Sequence, residues 1–149
     1  MSEQFTTYTV TGKGSNIVWL FKYRLNGLLA KFELLEGELD DKQVNWLFIK
    51  GKFPYKEQQI KGWKAISNFD IKVGEPKLDF ETFWAVYSVK QKRTVAEKLW
   101  EKLSKKDKIE ALKAIPRYNN WLAHKNGIQK QLPDTFLRQQ RWLDNFNEL

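Results

Sequence analysis

Residues 80–89 read FETFWAVYSV, 90–103 read KQKRTVAEKLWEKL, 104–127 read SKKDKIEALKAIPRYNNWLAHKNG and 132–146 read LPDTFLRQQRWLDNF. Phe80, Phe83, Trp84 and Tyr87 fall at i, i+3, i+4 and i+7, which predicts a helix over 80–89 with Asp79 as its cap. After a basic bend at Lys90 to Arg93, the stripe Ala96, Leu99, Trp100 and Leu103 predicts a second helix. Ser104 reads as the next N-cap, with Asp107 where a capping box carries Glu or Gln. Ile109, Leu112, Ile115, Tyr118 and Leu122 extend a longer helix that Pro116 is expected to kink or split. Asn126-Gly127 stops it, and Leu132-Pro133-Asp134 restarts a short helix over 135–141 ending near Trp142. Residues 78–149 therefore read as an all-helical module with Trp84 and Trp100 in its core and Trp142 as an anchor or plug. Trp100, Trp121 and Trp142 are 21 residues apart, but the residues between them do not match, so the spacing is no repeat.

Upstream, Gly74-Glu75-Pro76 breaks the pattern and marks the edge of a first module, residues 1–77. Phe5 to Thr11 is rich in Thr, Tyr and Val and predicts a strand. GKGSN, residues 12–16, is a turn; the phosphate-loop spacing fails, because Gly14 rather than Ser or Thr follows Lys13. Ile17 to Arg24 and Leu28 to Leu35 flank Asn26-Gly27, a hairpin signal of the type I′ kind, although Val18, Leu20 and Tyr23 do not alternate cleanly. Asp40 or Asp41 caps a helix over 42–49 whose Val44, Leu47 and Phe48 share one face. Gly51 ends it, and Pro54 opens a helix over 55–66 that buries Ile60, Trp63 and Ala65. Phe69 to Val73 alternates as a further strand. The expected class is α+β: a small antiparallel sheet built on a β-hairpin with two helices, followed by the helical module.

Composition bounds the function. The 149 residues carry 26 Lys+Arg against 18 Asp+Glu, a formal net charge of +8. The excess falls on both modules, and it favours polyanionic partners: DNA, RNA or a nucleoprotein. Cysteine is absent, which excludes a disulfide framework and thiolate metal sites and fits a reducing cytoplasm. No signal peptide and no apolar run of membrane-spanning length is visible, so a soluble cytoplasmic protein without a membrane partner is expected.

Catalytic chemistry has little material. One histidine, His124, stands near a helix end beside Lys125, and with no thiol and no second imidazole most nucleophile–base pairs and multi-His metal sites are excluded. Glu36, Glu38, Asp40 and Asp41 are too compact for a calcium loop and suit helix capping in a solvated turn. The expectation is a non-enzymatic protein with no cofactor, no metal and no small-molecule substrate. Lys90, Lys92, Arg93, Lys98, Lys102, Arg138 and Arg141 are the candidate nucleic-acid contacts, centred on the bend and the terminal helix. Trp19, Tyr23 and Asn26 of the hairpin are candidate partner contacts, since a hairpin can expose one face.

The series Phe80-x-x-Phe83-Trp84-x-x-Tyr87, a basic cluster, Ala96-x-x-x-Trp100-x-x-Leu103, a Ser-capped helix with Ile109 and Leu112, Tyr118, and Pro133-x-Thr135-Phe136-Leu137-x-x-x-x-Trp142 resembles the small helical C-terminal module of phage and prophage replication-associated proteins, initiators or helicase loaders. It departs from that module at Ser88, where Pro is common, and at Gln131-Leu132, where an aromatic-aliphatic pair is common. The resemblance implies phage origin and a nucleic-acid or replisome context; it transfers no catalytic residue. Two functions follow as expectations: a phage accessory protein that binds nucleic acid or a nucleoprotein, with replication one setting, or an anti-CRISPR-like inhibitor of a host defence nucleoprotein acting by protein contact.

Overall fold

The computed structural model describes residues 4–146. The chain divides into two compact units, Met1–Pro76 and Lys77–Leu149. The first holds an antiparallel sheet and two short helices and the second is helical, so the protein is α+β.

In the first unit β1 (Phe5–Gly12), β2 (Val18–Arg24), β3 (Leu29–Glu36) and β4 (Phe69–Val73) form one sheet of order β3-β2-β1-β4. Val10 pairs with Trp19 and Tyr8 with Phe21, so the pleat sends these four side chains to one face. There they meet Tyr23, Leu47, Ile60 and Trp63 in a core rich in edge-on rings, such as Phe21 against Trp63 at 5.5 Å and 83°. Each such ring pair adds about 0.5–1.5 kcal/mol beyond the area it buries. β2 is an interior strand, and Val18 and Leu20 on its other face are buried as well. Burial on both faces is why this strand does not alternate in sequence.

The β2–β3 turn differs from the type I′ expectation. Gly27 has φ 85°, but Asn26 is not among the residues with positive φ. Gly27 N–H donates to the Arg24 carbonyl at 2.9 Å, and Arg24 N–H donates to the Leu28 carbonyl at 2.9 Å. Leu25, Asn26 and Gly27 thus form a three-residue loop closed by a glycine bulge. The Asn26 side chain accepts from Leu28 N–H at 3.0 Å.

α1 (Asp41–Val44) starts from a capping box: Asp40 Oδ1 accepts from Gln43 N–H at 2.8 Å, and Gln43 Oε1 accepts from Asp40 N–H at 2.9 Å. It then widens into a π-helical turn, Asn45–Ile49. The extra residue per turn rotates the face, so Leu47 is buried while Val44 and Phe48 are 38% and 53% exposed, against the single shared face expected. Gly51, with φ 71°, follows the turn as expected. The next helix begins later than expected: α2 (Glu57–Gly62) is followed by a 3-10 turn, Trp63–Ala65. Pro54 stays in the extended segment before it, where its carbonyl accepts from the Tyr23 hydroxyl at 2.6 Å. Ile60 and Trp63 are buried and Ala65 is exposed.

The second unit contains α3 (Phe80–Tyr87), α4 (Arg93–Glu101), α5 (Lys105–Ala123), α6 (Pro133–Arg138) and a 3-10 turn, Arg141–Leu143. Phe80, Phe83, Tyr87, Ala96, Trp100, Ala111, Ile115, Tyr118, Phe136 and Trp142 form one core. Phe83 and Trp100 stack at 4.9 Å and 16°. Trp100 Nε1–H donates to the Leu78 carbonyl at 2.8 Å, which gives the buried indole its partner. α3 stops two residues short of the expected end because Ser88 turns left-handed, φ 70°. Asp79 accepts from the Thr82 hydroxyl rather than from a backbone amide. Ser104 Oγ accepts from Asp107 N–H at 3.0 Å, the expected N-cap of α5. Pro116 neither splits nor ends α5; it sits on the exposed side of a continuous helix of 19 residues. The last helix starts at Pro133, whose missing N–H costs nothing in a first turn.

Candidate functional site

The basic residues of the second unit fall into separate groups. Lys90 and Arg93 flank the half-buried Trp84, with the ammonium 5.2 Å and the guanidinium 5.4 Å from its ring centroid. Lys90 also donates to the Trp84 carbonyl, and Arg93 is ion-paired with Glu81. Lys92 lies between them, exposed and in the left-handed region at φ 60°. On α4 the buried stripe is Ala96 and Trp100. Lys98 lies five positions beyond Arg93, about 140° around the helix axis at about 100° per residue. Lys98 and Lys102 are exposed, one turn apart, with exposed Glu97 and Glu101 beside them.

The two arginines of the chain end are engaged within the fold. Arg138 pairs with the buried Asp134 at 3.4 Å, and its own side chain stays largely exposed. Arg141 pairs with Asp144 at 2.6 Å and lies over the rings of Tyr118, at 5.4 Å, and Phe146, at 5.6 Å. It covers the aromatic core and is mostly shielded from solvent. Among the predicted residues, the bend is thus where two cations, Lys90 and Arg93, meet one aromatic ring, Trp84.

The hairpin residues are placed differently from the expectation. Trp19 and Tyr23 are 1% and 0% exposed. They are the inward side of an interior strand and offer no outer face to a partner. Burial, with the neighbouring Tyr8 ring and the Glu57 carboxylate, holds the Tyr23 phenol well above the usual tyrosine range. Asn26 is exposed, and its carbonyl oxygen braces the turn.

Trp19 does form the floor of a cleft of about 570 Å³ in the first unit, which sequence reasoning missed. Its apolar walls are Ile17, Trp46, Ile66 and Phe69, and its rim carries Lys13, Lys42, Gln43 and Asn68. These residues come from the GKGSN turn, α1 with its π-turn, and the approach to β4. The one signal in sequence is the Lys13 turn, since spacing along the chain does not bring Trp46 beside Phe69. His124 Nδ1–H donates to the Asn120 carbonyl, 2.8 Å away one turn back along α5, a local end-of-helix contact. Among the described residues no group of three or more His, Cys, Asp or Glu is placed to hold a metal ion, and no helix is long and apolar enough to cross a membrane.

Residues 75–140, less than half of the chain, match the family model described as the Legionella vir region protein LvrA C-terminal domain. That family is a bacterial, mobile-element-associated domain, and the match supports the resemblance to mobile-element proteins to that extent and no further. No curated protein matches the chain, and no solved structure matches it.

Proposed function

We propose that this protein is a non-enzymatic accessory factor of a bacterial mobile element, phage or prophage, that binds nucleic acid or a nucleoprotein through cationic surface of its second unit. The observation that carries this reading is the bend at Lys90, Lys92 and Arg93, where two cations lie against Trp84 and a third is exposed between them. Guanidinium and ammonium groups neutralise phosphates, and a guanidinium plane over an aromatic ring offers a surface on which an unpaired base stacks. Lys98 and Lys102 extend positive charge along α4. The net charge of +8 and the vir-region family match support the same context. A replication role is the narrower form of this proposal.

The test is binding to duplex DNA, single-stranded DNA and RNA, measured by fluorescence anisotropy across a salt series. Removing one lysine that neutralises a phosphate should flatten the log–log salt slope by about 0.9 on duplex and about 0.7 on single strands. Lys90→Ala with Lys92→Ala, and separately Lys98→Ala with Lys102→Ala, should each lower the slope accordingly. Absence of binding to all three nucleic acids at low salt would sink the proposal.

One observation favours a second reading, an inhibitor of a host defence nucleoprotein in the anti-CRISPR manner. Val44, Phe48 and Ile49 expose apolar surface on one short segment, and Ile49 is 76% exposed. Affinity capture from host lysate should then recover a nucleoprotein that survives nuclease treatment, and loss of the partner on nuclease treatment refutes direct protein contact.

A further inference from the structure

We infer that the cleft of the first unit is a nucleotide-binding site: it takes a single nucleobase between aromatic walls and the attached phosphate on two lysines. The volume, about 570 Å³, falls in the range of about 300–1,000 Å³ that encloses small ligands. The walls are flat and apolar. Trp46 is half-buried, with its ring 5.1 Å from Trp63 and 5.7 Å from Phe69. Trp63 and Phe69 stack on each other at 5.3 Å, and Trp19 closes the floor 5.8 Å from Phe69. These rings support one another from behind, so the wall that Trp46 and Phe69 present is rigid. A planar, polarisable group fits such a wall better than a branched aliphatic one.

The rim supplies the other half of the ligand. Lys13 and Lys42 are both exposed and bring two ammonium groups to the cleft, against one carboxylate, Asp40. One oxygen of that carboxylate already accepts from Gln43 N–H at the start of α1. The rim is therefore cationic, which selects an anionic ligand. Asn68 adds an amide able both to donate and to accept, as the edge of a base requires, and Gln43, whose Oε1 accepts from Asp40 N–H, adds its amide N–H groups.

The loop that carries Lys13 is built tightly. A side chain on Gly12 would place its Cβ 2.1 Å from Ser15 Oγ and 2.6 Å from Ile17 Cγ1. Gly14 has φ 76°, and Lys13 N–H donates to the Asn68 carbonyl at 2.8 Å. That hydrogen bond ties the turn to the segment leading into β4 and fixes Lys13 and Asn68 on the same rim. The GKGSN turn, which lacks the spacing of a phosphate loop, thus holds a lysine over an aromatic cleft.

The ligand chemistry has two sources, a free nucleotide or an unpaired nucleotide of a strand. The experiment follows the Trp46 indole N–H signal, assigned through Trp46→Phe, while the full chain is titrated with each nucleoside monophosphate to about 1 mM and separately with a short single-stranded oligonucleotide. A shift with monophosphates assigns a free-nucleotide site. A shift with the oligonucleotide alone assigns capture of an unpaired base. Lys13→Ala with Lys42→Ala, both exposed and away from the core, should weaken either response about tenfold, a modest factor because the ammonium groups lie at a wet rim. Lys52→Ala with Lys61→Ala, exposed lysines of the same unit that do not line the cleft, should leave the Trp46 response unchanged, which separates this site from the general positive charge of the unit. No movement of the Trp46 signal with any of these ligands, or an unchanged response in the Lys13/Lys42 variant, would overturn the inference.

Discussion

Tyr23→Phe removes one oxygen from the centre of the first unit. The ring stays: it packs edge-on against Tyr8 at 5.7 Å, and the residue is fully buried. What disappears is the donor to the Pro54 carbonyl, a 2.6 Å bond between groups 31 residues apart in sequence. Pro54 has no N–H of its own, and its carbonyl lies in the extended segment linking the π-turn to α2. A buried acceptor left without its donor costs about 1–3 kcal/mol. With m near 1–1.5 kcal/mol per molar urea for a unit of this size, the midpoint should fall by about 0.7–3 M. The assay is a urea titration read from amide signals of β1, β2 and β3, which reports this unit by itself. Tyr55→Phe is the control: Tyr55 is 51% exposed and should stay within about 0.5 kcal/mol of the parent. The m-value should not change. An unchanged midpoint for Tyr23→Phe would mean that the hydroxyl contributes nothing net, and the account of Pro54 as a braced link would be wrong.

Ser104→Ala should destabilise the second unit by about 1 kcal/mol, seen in the urea midpoint of α5 amides, because Asp107 N–H loses its cap. Pro116→Ala should stabilise it by about 1–3 kcal/mol, since the exposed Pro replaces a helix-forming residue and supplies no amide hydrogen; a lower midpoint would show that the ring is needed where it is. At alkaline pH the protein should lose stability. Burial, and then the Glu57 carboxylate it donates to, pushes the Tyr8 phenol up to about 12, and burial moves Tyr23 and Tyr87 in the same direction. The folded state therefore keeps these protons after the unfolded chain has begun to release them near pH 10, and stability falls as pH rises from about 10 to 12. Lys130, lowered by burial, acts in the opposite sense but is a single group against three. A melting temperature that is flat across that window would contradict the tyrosine burial.

The helical unit was legible because its aromatic residues repeat at helical spacing and their burial follows directly. Phe80, Phe83, Tyr87, Ala96, Trp100, Ile115 and Tyr118 are all core residues. The sheet was legible at its ends, through Asn26-Gly27 and the Thr-rich β1, but the orientation of β2 was not, because an interior strand buries both faces and leaves no alternation to read. That is why Trp19 and Tyr23 were expected at a surface. The π-turn was invisible for a related reason: periodicity arguments assume 3.6 residues per turn, and Val44 and Phe48 were assigned to the wrong face when the turn widened. Pro116 does not split α5, since a proline on the exposed side of a long helix can be carried by packing on the other side. The cleft was illegible because its parts come from three separated segments. Charge alone could not sort Arg141, which covers an aromatic core, from Lys98, which faces water.

The segment Gly74-Glu75-Pro76 is also the place where the chain can be cut or joined at least structural cost. The hydrogen bonding of the sheet ends at the first residue of this segment, with Gly74 N–H donating to the Thr7 carbonyl at 2.7 Å and Thr9 Oγ1 donating to the Gly74 carbonyl at 2.7 Å. The family match begins at residue 75, and the first backbone group used by the second core, the Leu78 carbonyl, comes two residues after Pro76. A recombination event that joins genes here severs no strand pairing and orphans no core carbonyl. A join made at this point would leave the strand pairing of the first unit and the aromatic core of the second intact.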